Sequence, residues 1–420
     1  MKLLFTPVFL CLMLRLTAQS TIYKDDLVAL NNIVQSLPSF KAQIKGKQLL
    51  AYQALYQTLA KDTLTNPNSF QYFYNLSRLI MPLRDNHIGF YQLPKYQYYK
   101  TKERLDSFLA SKAFLDYPTD PIAIDSLTKA LSQSSPDSIE GIYHYDSAYQ
   151  VGLFKKQPGE YVGVIISSKT NLWATGQVAI RLYQTGPNLY KAIYSHPLFK
   201  HYNLQTIEKF QNQSLVNSFF YASFSKAIYT KRVNQVDYVN LPKTNVKFNF
   251  KQLNPTVQYV MIQSFQANDQ TKKASKAFYD SVKAQLNAPV TVLDLRNNEG
   301  GSKTEMMQYY RLFKQYIKNG RLFVLMNNGT LSQGELFILR LRKLKQVIVL
   351  GQTSKGMLTY GSNYDKRITL PSGQIEIYPT DMRGNSRRLQ YEDIGIQPDV
   401  YLHYTTDWIE QTLSYIQTIR

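Results

Sequence analysis

The stretch Pro289-Val290-Thr291-Val292-Leu293-Asp294-Leu295-Arg296-Asn297-Asn298-Glu299-Gly300-Gly301-Ser302 changes character twice. Its β-branched, apolar start is too short for a buried helix and reads as a buried strand. A polar run follows, and the paired glycines permit a tight turn that exposes backbone N–H groups. From Ser302 the spacing in "SKTEMMQYYRLFKQYIKNG" is helical, closed by Gly320. A strand, a glycine turn and a helix in that order are half of a strand–helix–strand unit, so the flanking sequence decides the fold.

On both sides the periods alternate in the same way. "VQYVMIQSF" (257–265) reads as a strand and "KKASKAFYDSVKAQL" (272–286) as a helix. Downstream, "RLFVLM" (321–326) is a strand, a helix runs through about 343, and "QVIVLG" (346–351) is a further strand. Repeated units of this kind imply a largely parallel sheet with helices against it. Ligands then bind at the carboxyl ends of strands, so 294–301 and 327–332 are expected around one crevice.

The rest of the chain divides into three parts. Residues 1–20 read as a signal peptide: a positive start, the apolar "LLFTPVFLCLML", and small residues near Ala18–Ser20. Residues 21–135 are helical in pattern, with "KDDLVALNNIVQSL", "KGKQLLAYQALYQTLAKD" and "NSFQYFYNLSRLIM" before Pro82. "LRDNHIGFYQL" (83–93) is then a turn entering a short strand. Residues 136–250 consist of short alternating aromatic and aliphatic runs between Gly, Pro and Asn, read as a small antiparallel β domain. Trp173 and Tyr183 are expected to pack there rather than to form a ligand platform.

Composition narrows the function. The only cysteine of the 420 residues is Cys11, inside the leader, so the mature chain has no disulfide and no thiol catalyst. The bulky residues before it do not suit lipid attachment, and no later run approaches the length of a membrane span. Export to the periplasm, the outer surface or the medium fits. The formal charge of +20 favours anionic neighbours. Its basic residues are scattered without a finger, helix-turn-helix or dense basic helix, which excludes a nucleic-acid partner. Peripheral association with an anionic cell envelope is the reading left for that charge. His, Asp and Glu at metal-ligand spacing are absent, so no metal and no cofactor are expected.

Ser332 lies in Asn327-Asn328-Gly329-Thr330-Leu331-Ser332-Gln333-Gly334-Glu335, between a buried strand and a helix. With Glu335 three residues on, it fits a capping box. The same position also presents a hydroxyl beside unpaired helix-end N–H groups, the setting of a nucleophile. From local sequence both readings stand, and a nucleophile needs a base.

Four motifs in order resemble the serine peptidases related to tail-specific, carboxyl-terminal processing proteases and the tricorn core (family S41). They are Asp294-Leu295-Arg296-Asn297-Asn298-Glu299-Gly300-Gly301, Ser332-Gln333-Gly334-Glu335, Gly351-Gln352-Thr353-Ser354-Lys355-Gly356 and Gly395-Ile396-Gln397-Pro398-Asp399. The resemblance implies a ClpP/crotonase-like, mostly parallel catalytic sheet over 251–420, with the helical region and the small β domain as additions. It implies Ser332 as the acylated nucleophile. The oxyanion hole would be the N–H of Gln333 and one from Gly300 or Gly301. One branch of the family uses a lysine after the glycine of the third motif; Met357 stands there, and Lys355 lies on the other side of Gly356. The tricorn-like branch uses a histidine in an Asp-x-His motif, matched by Asp85-Asn86-His87, with Asn86 where that branch has a small hydroxyl residue. Glu392 matches its late acidic residue, which orients the histidine; Asp393 and Asp85 are rivals for that role. No carboxylate-binding loop of a PDZ domain is found. The implied substrate is a peptide or unfolded protein. An esterase on the same scaffold, or a binding protein on a degenerate one, are the alternatives.

Overall fold

The computed structural model describes residues 22–220, 227–241 and 246–419, so the expected signal peptide lies outside the described residues. The chain forms two compact units. One runs to Val233 and takes in Ser362–Gly384; the other comprises Asn234–Gly361 and Asn385–Arg420.

The first unit begins with helices over 22–36, Pro38–Gln43, Lys47–Leu59 and Phe70–Ile80. The last of these shows why this region is helical. The Ser69 side chain caps it by accepting the Tyr72 N–H, and helical spacing puts Tyr72, Phe73, Leu76, Leu79 and Ile80 on one buried face. Pro82 cannot continue the helix. The helices share their core with Phe90, Leu204, Ile375 and Ile377, all on strands.

Those strands belong to an eleven-stranded antiparallel sheet, most of it closed into a barrel. Around the barrel lie Tyr202–Gln211, Leu189–Ser195, Val178–Gly186, Glu160–Ser168, Tyr149–Gln157, Gly141–Tyr145, Tyr229–Thr230 and Ser214–Leu215. Ser214–Leu215 pairs back onto Tyr202–Gln211 and closes the ring. Tyr202–Gln211 also pairs with Gly89–Gln92, in register Phe90 to Leu204. Gly89–Gln92 pairs in turn with Ile375–Tyr378, Gly89 opposite Tyr378, and Ile368–Thr369 completes the hairpin. Tyrosines fill much of this unit, and several of their buried hydroxyls are paired. Tyr149 and Tyr229 share a 2.9 Å hydrogen bond, and Tyr194 donates to buried Glu208 at 2.7 Å. Trp173 is core, donating its indole N–H to the Pro197 carbonyl. The Lys200 ammonium sits 4.2–4.3 Å above the rings of Phe114, Tyr117 and Trp173, and burial pushes its pKa down to about 6.

This corrects the fold class expected from the sequence. The chain is not an α/β protein built on a ClpP/crotonase-like parallel sheet with a small β domain added. Its main sheet is an antiparallel barrel with flanking helices, and it recruits a strand from the helical region and a hairpin from near the carboxyl end. Alternation and turn residues mark strands locally. Pairing partners as far apart as Tyr91 and Glu376 leave no such mark.

In the second unit a six-stranded sheet runs Phe248–Asn254, Val257–Ile262, Val290–Asp294, Arg321–Met326, Val347–Gly351, Val400–Tyr401. The first pair is antiparallel and the remaining pairs are parallel. Helices Asp269–Gln285, Lys303–Tyr316 and Gln333–Leu341 connect successive inner strands. Val290–Asp294 is buried throughout, as its continuous apolar run requires. Where it ends, Arg296 folds back on Asp294 with Nε 3.1 and 3.0 Å from the two carboxylate oxygens and a guanidinium NH2 at 2.7 Å. Among the described residues no helix is long and apolar enough to cross a membrane.

Candidate active site

Ser332 stands at the start of helix Gln333–Leu341 with φ 54° and ψ −119°. A left-handed backbone costs a non-glycine residue on the order of 1–3 kcal/mol and persists only where the surroundings impose it. A serine serving only as a cap would sit in the relaxed extended region, as Ser302 does at φ −77° and ψ 135°. The strain is therefore informative about why a serine is held there.

Three segments impose it. The Ser332 N–H is shared between the Met357 carbonyl at 2.9 Å and Glu335 Oε2 at 3.1 Å. The Leu331 N–H donates to the Asn298 carbonyl at 2.9 Å, tying the serine turn to the glycine turn. Gly300, at φ +76°, lies so close that a Cβ there would be 2.8 Å from Ser332 Cβ and 2.9 Å from Gln333 N. At Gly301 a Cβ would fall 2.3 Å from the Phe265 carbonyl carbon. Only glycine fits either position.

Asn298 shapes the turn further. Its Nδ2 donates to the Ile262 carbonyl at 2.8 Å while its Oδ1 accepts the Gly300 N–H at 2.9 Å. That commits the Gly300 N–H. Among the described residues the N–H groups of Gly301 and Gln333 have no acceptor. The sequence-derived candidates Ser332, Gln333, Gly300 and Gly301 thus share one small region of the second unit.

Glu335 holds it together. The carboxylate is fully buried and accepts four hydrogen bonds. Oε1 takes Ser354 Oγ at 2.6 Å and the Gly356 N–H at 2.8 Å; Oε2 takes the Met357 N–H at 3.0 Å besides Ser332. Sequence alone shows Glu335 as the capping-box partner and as the acid of the Ser332-Gln333-Gly334-Glu335 motif, without its ties to 354–357. Lys355 donates its N–H to the Thr330 carbonyl at 3.0 Å and is half-buried.

Glu392 lies in this same unit, directly after the 3₁₀ helix Ser386–Tyr391. It is fully buried, and its Oε2 accepts the N–H groups of Leu358 (3.1 Å) and Thr359 (2.9 Å). Its rival Asp393 is half-buried at φ 71°, with its N–H donating to the Gly356 carbonyl at 3.0 Å. Asp85, Asn86 and His87 belong to the barrel unit, immediately before Gly89–Gln92. Asp85 and Asn86 are buried and His87 half-buried. Asp85 accepts the Thr380 hydroxyl at 2.6 Å, and burial raises its pKa to about 6.

The glycine turn gives a direct test. Gly300→Ala is expected to push the Ser332 turn out of place and to cut labelling of Ser332 by a serine-directed probe by about 10²-fold, the cost of a displacement of about 1 Å. Gly159→Ala, at φ +78° with nothing within 4 Å of the added Cβ, bears the same backbone strain without a neighbour to push. It should leave labelling by a serine-directed probe unchanged.

Sequence comparison matches the model of peptidase family S41 to residues 256–317 and 308–402, a span that holds Ser332, both glycines, Lys355 and Glu392. Over that span the chain is similar to peptidase family S41. His87 lies outside the matched span. A search of curated proteins gives no match. Among solved structures, a lipoprotein from Streptococcus agalactiae is 18% identical over 42% of this chain and 71% of its own, with a TM-score of 0.30. The photosystem II D1 C-terminal processing protease is 14% identical over 92% and 93%, with a TM-score of 0.37. The tricorn protease is 10% identical over 94% of this chain and 37% of its own, with a TM-score of 0.36. The likeness to the family rests on the matched sequence.

Proposed function

We propose that this chain is an exported serine peptidase that cleaves peptide bonds through a Ser332 acyl-enzyme, with His87 as base and Glu392 as the carboxylate that orients it. The observation that carries the reading is the strained Ser332 at a helix start, pressed against Gly300 and flanked by the N–H groups of Gln333 and Gly301. In the reaction His87 takes the hydroxyl proton as Ser332 Oγ attacks the substrate carbonyl. The N–H groups of Gln333 and Gly301 are the donors for the oxyanion that develops. The protonated imidazole then gives its proton to the leaving amine, and water activated by His87 hydrolyses the ester. Neutral imidazole suits the role because it titrates near working pH. The substrate is a peptide or unfolded protein, met outside the cytoplasm, where the net charge of +20 favours anionic surroundings.

The test is covalent labelling of the folded protein with a fluorophosphonate, read by intact mass and peptide mapping. Modification confined to Ser332, and lost in His87→Ala and in Ser332→Ala, is the expected result. Labelling that survives His87→Ala but not Lys355→Ala would move the base to Lys355. A folded protein whose Ser332 stays unmodified by small and large probes alike would leave a binding protein on a peptidase scaffold. Parallel peptide and ester panels decide between peptidase and esterase.

A further inference from the structure

The segment Leu83-Arg84-Asp85-Asn86-His87-Ile88 is held along its length by side chains from three separate places in the barrel unit. Lys191, on strand Leu189–Ser195 and buried, donates Nζ to the Leu83 carbonyl at 3.1 Å. Gln43, at the end of helix Pro38–Gln43, grips Arg84 at two points, accepting its N–H at 3.1 Å and donating to its carbonyl at 2.9 Å. Thr380, just beyond strand Ile375–Tyr378, donates its hydroxyl to Asp85 Oδ2 at 2.6 Å. Asp85, Asn86 and Ile88 are buried and His87 between them is half-exposed. Immediately afterwards Gly89–Gln92 is fixed between two strands of the sheet.

Burying an ammonium and a carboxylate is costly unless each is used. A loop that needed only to connect a helix to a strand would be served by backbone bonds and water at the surface. Here two buried charges and a buried hydroxyl converge on the residues next to a single half-exposed imidazole.

We infer that the barrel is the platform that positions the base, with Lys191 and Thr380 as positioning residues that act on His87 through Leu83 and Asp85. The inference rests on the reading of His87 as base. Asp85 is the relay: the groups facing it are Ser39 from helix Pro38–Gln43, Thr380, the backbone N–H of His87 and the Lys191 ammonium. Its ionised form is the stronger acceptor for the His87 backbone N–H, so it fixes the chain at His87. Lys191 lowers the Asp85 pKa and burial raises it, with burial the larger effect.

The experiment measures fluorophosphonate labelling of the full chain as a function of probe concentration and pH. Thr380→Val removes the hydroxyl at constant volume, Thr380→Ser keeps it, and Lys191→Met removes the cation. Thr380→Val and Lys191→Met are expected to lower the maximal labelling rate by about 10- to 100-fold, with the half-saturating probe concentration unchanged. Thr380→Ser restores the rate to within about threefold. In Lys191→Met the acid limb of the profile moves to higher pH, because Asp85 loses the cation that favours its ionisation. If both variants label at the parent rate while His87→Ala is inert, the positioning role is wrong and the base assignment stands. If His87→Ala itself labels at the parent rate, the base assignment is wrong and this inference goes with it. Should Lys191→Met fail to fold, the Thr380 pair alone decides: equal rates for valine and serine overturn the proposal.

Discussion

Glu335→Gln is expected to lower the thermal midpoint of the Ser332-bearing unit by about 10 °C and to cut fluorophosphonate labelling at least tenfold. The carboxylate accepts four donors from the serine turn and the 354–357 loop while fully buried. Glutamine replaces one acceptor oxygen with an amide NH2, which points a donor at donors, and it removes the charge that strengthens every bond. Losing one side of such a buried charged network costs about 3–5 kcal/mol. For a unit of 150–250 residues each kcal/mol shifts the midpoint by about 2–4 °C. Activity falls for a separate reason: Glu335 is one of the two acceptors holding the Ser332 N–H in a strained conformation. Released from it, the serine relaxes toward an ordinary cap. Calorimetry beside labelling rates checks both, and a midpoint within about 2 °C of the parent would refute the hub role.

Arg296→Met should destabilise the same unit by about 3–5 kcal/mol with little direct effect on Ser332 chemistry. Arg296 and Asp294 have side chains only 6% and 0% exposed, so removing the cation strands a buried carboxylate. Tyr259 still donates to Asp294 at 3.0 Å, but one phenol does not replace a forked guanidinium. Arg296 also donates to the Tyr238 carbonyl at 2.9 Å and stacks 5.4 Å from the Trp408 ring, contacts that methionine keeps only in part. Adding Asp294→Leu to Arg296→Met should recover most of the loss, because both charges are then gone. Urea unfolding of the single and double variants measures this. A double variant no more stable than the single one would place the cost in packing instead of charge.

The sequence disclosed local things well. The strand Val290–Asp294, the glycine turn and the helix from Lys303 are written in short-range apolar spacing, and the structure has them. The meeting of Gly300 with Ser332 followed from the rule that strand ends gather, applied to two neighbouring strands. Hidden from the sequence was everything set by distant partners. The barrel closes through a two-residue strand, Ser214–Leu215, too short to carry an alternation. Thr380 reaches Asp85 across nearly the whole chain, and no local pattern marks it. Glu335 read as a cap because its Ser332 partner is three residues away, whereas its ties to Ser354, Gly356 and Met357 are not local. Ser332 itself was ambiguous for a physical reason: the structure carries the capping box at this serine, and the strained backbone is the feature that a cap alone does not require.

The hairpin Ile368–Tyr378 belongs to the unit that most of the first half of the chain builds, yet its residues come after the segment that carries Ser332. During synthesis the strand Gly89–Gln92 therefore waits with one edge bare until nearly nine-tenths of the polypeptide exists. Thr380 is made later still, so the grip on Asp85 is among the last to close. A chain interrupted before that point would hold the Ser332 turn but lack the Thr380 bond to Asp85. Order of manufacture alone thus leaves an incomplete copy with Gln43 and Lys191 on the 83–88 segment but without the Thr380 bond to Asp85.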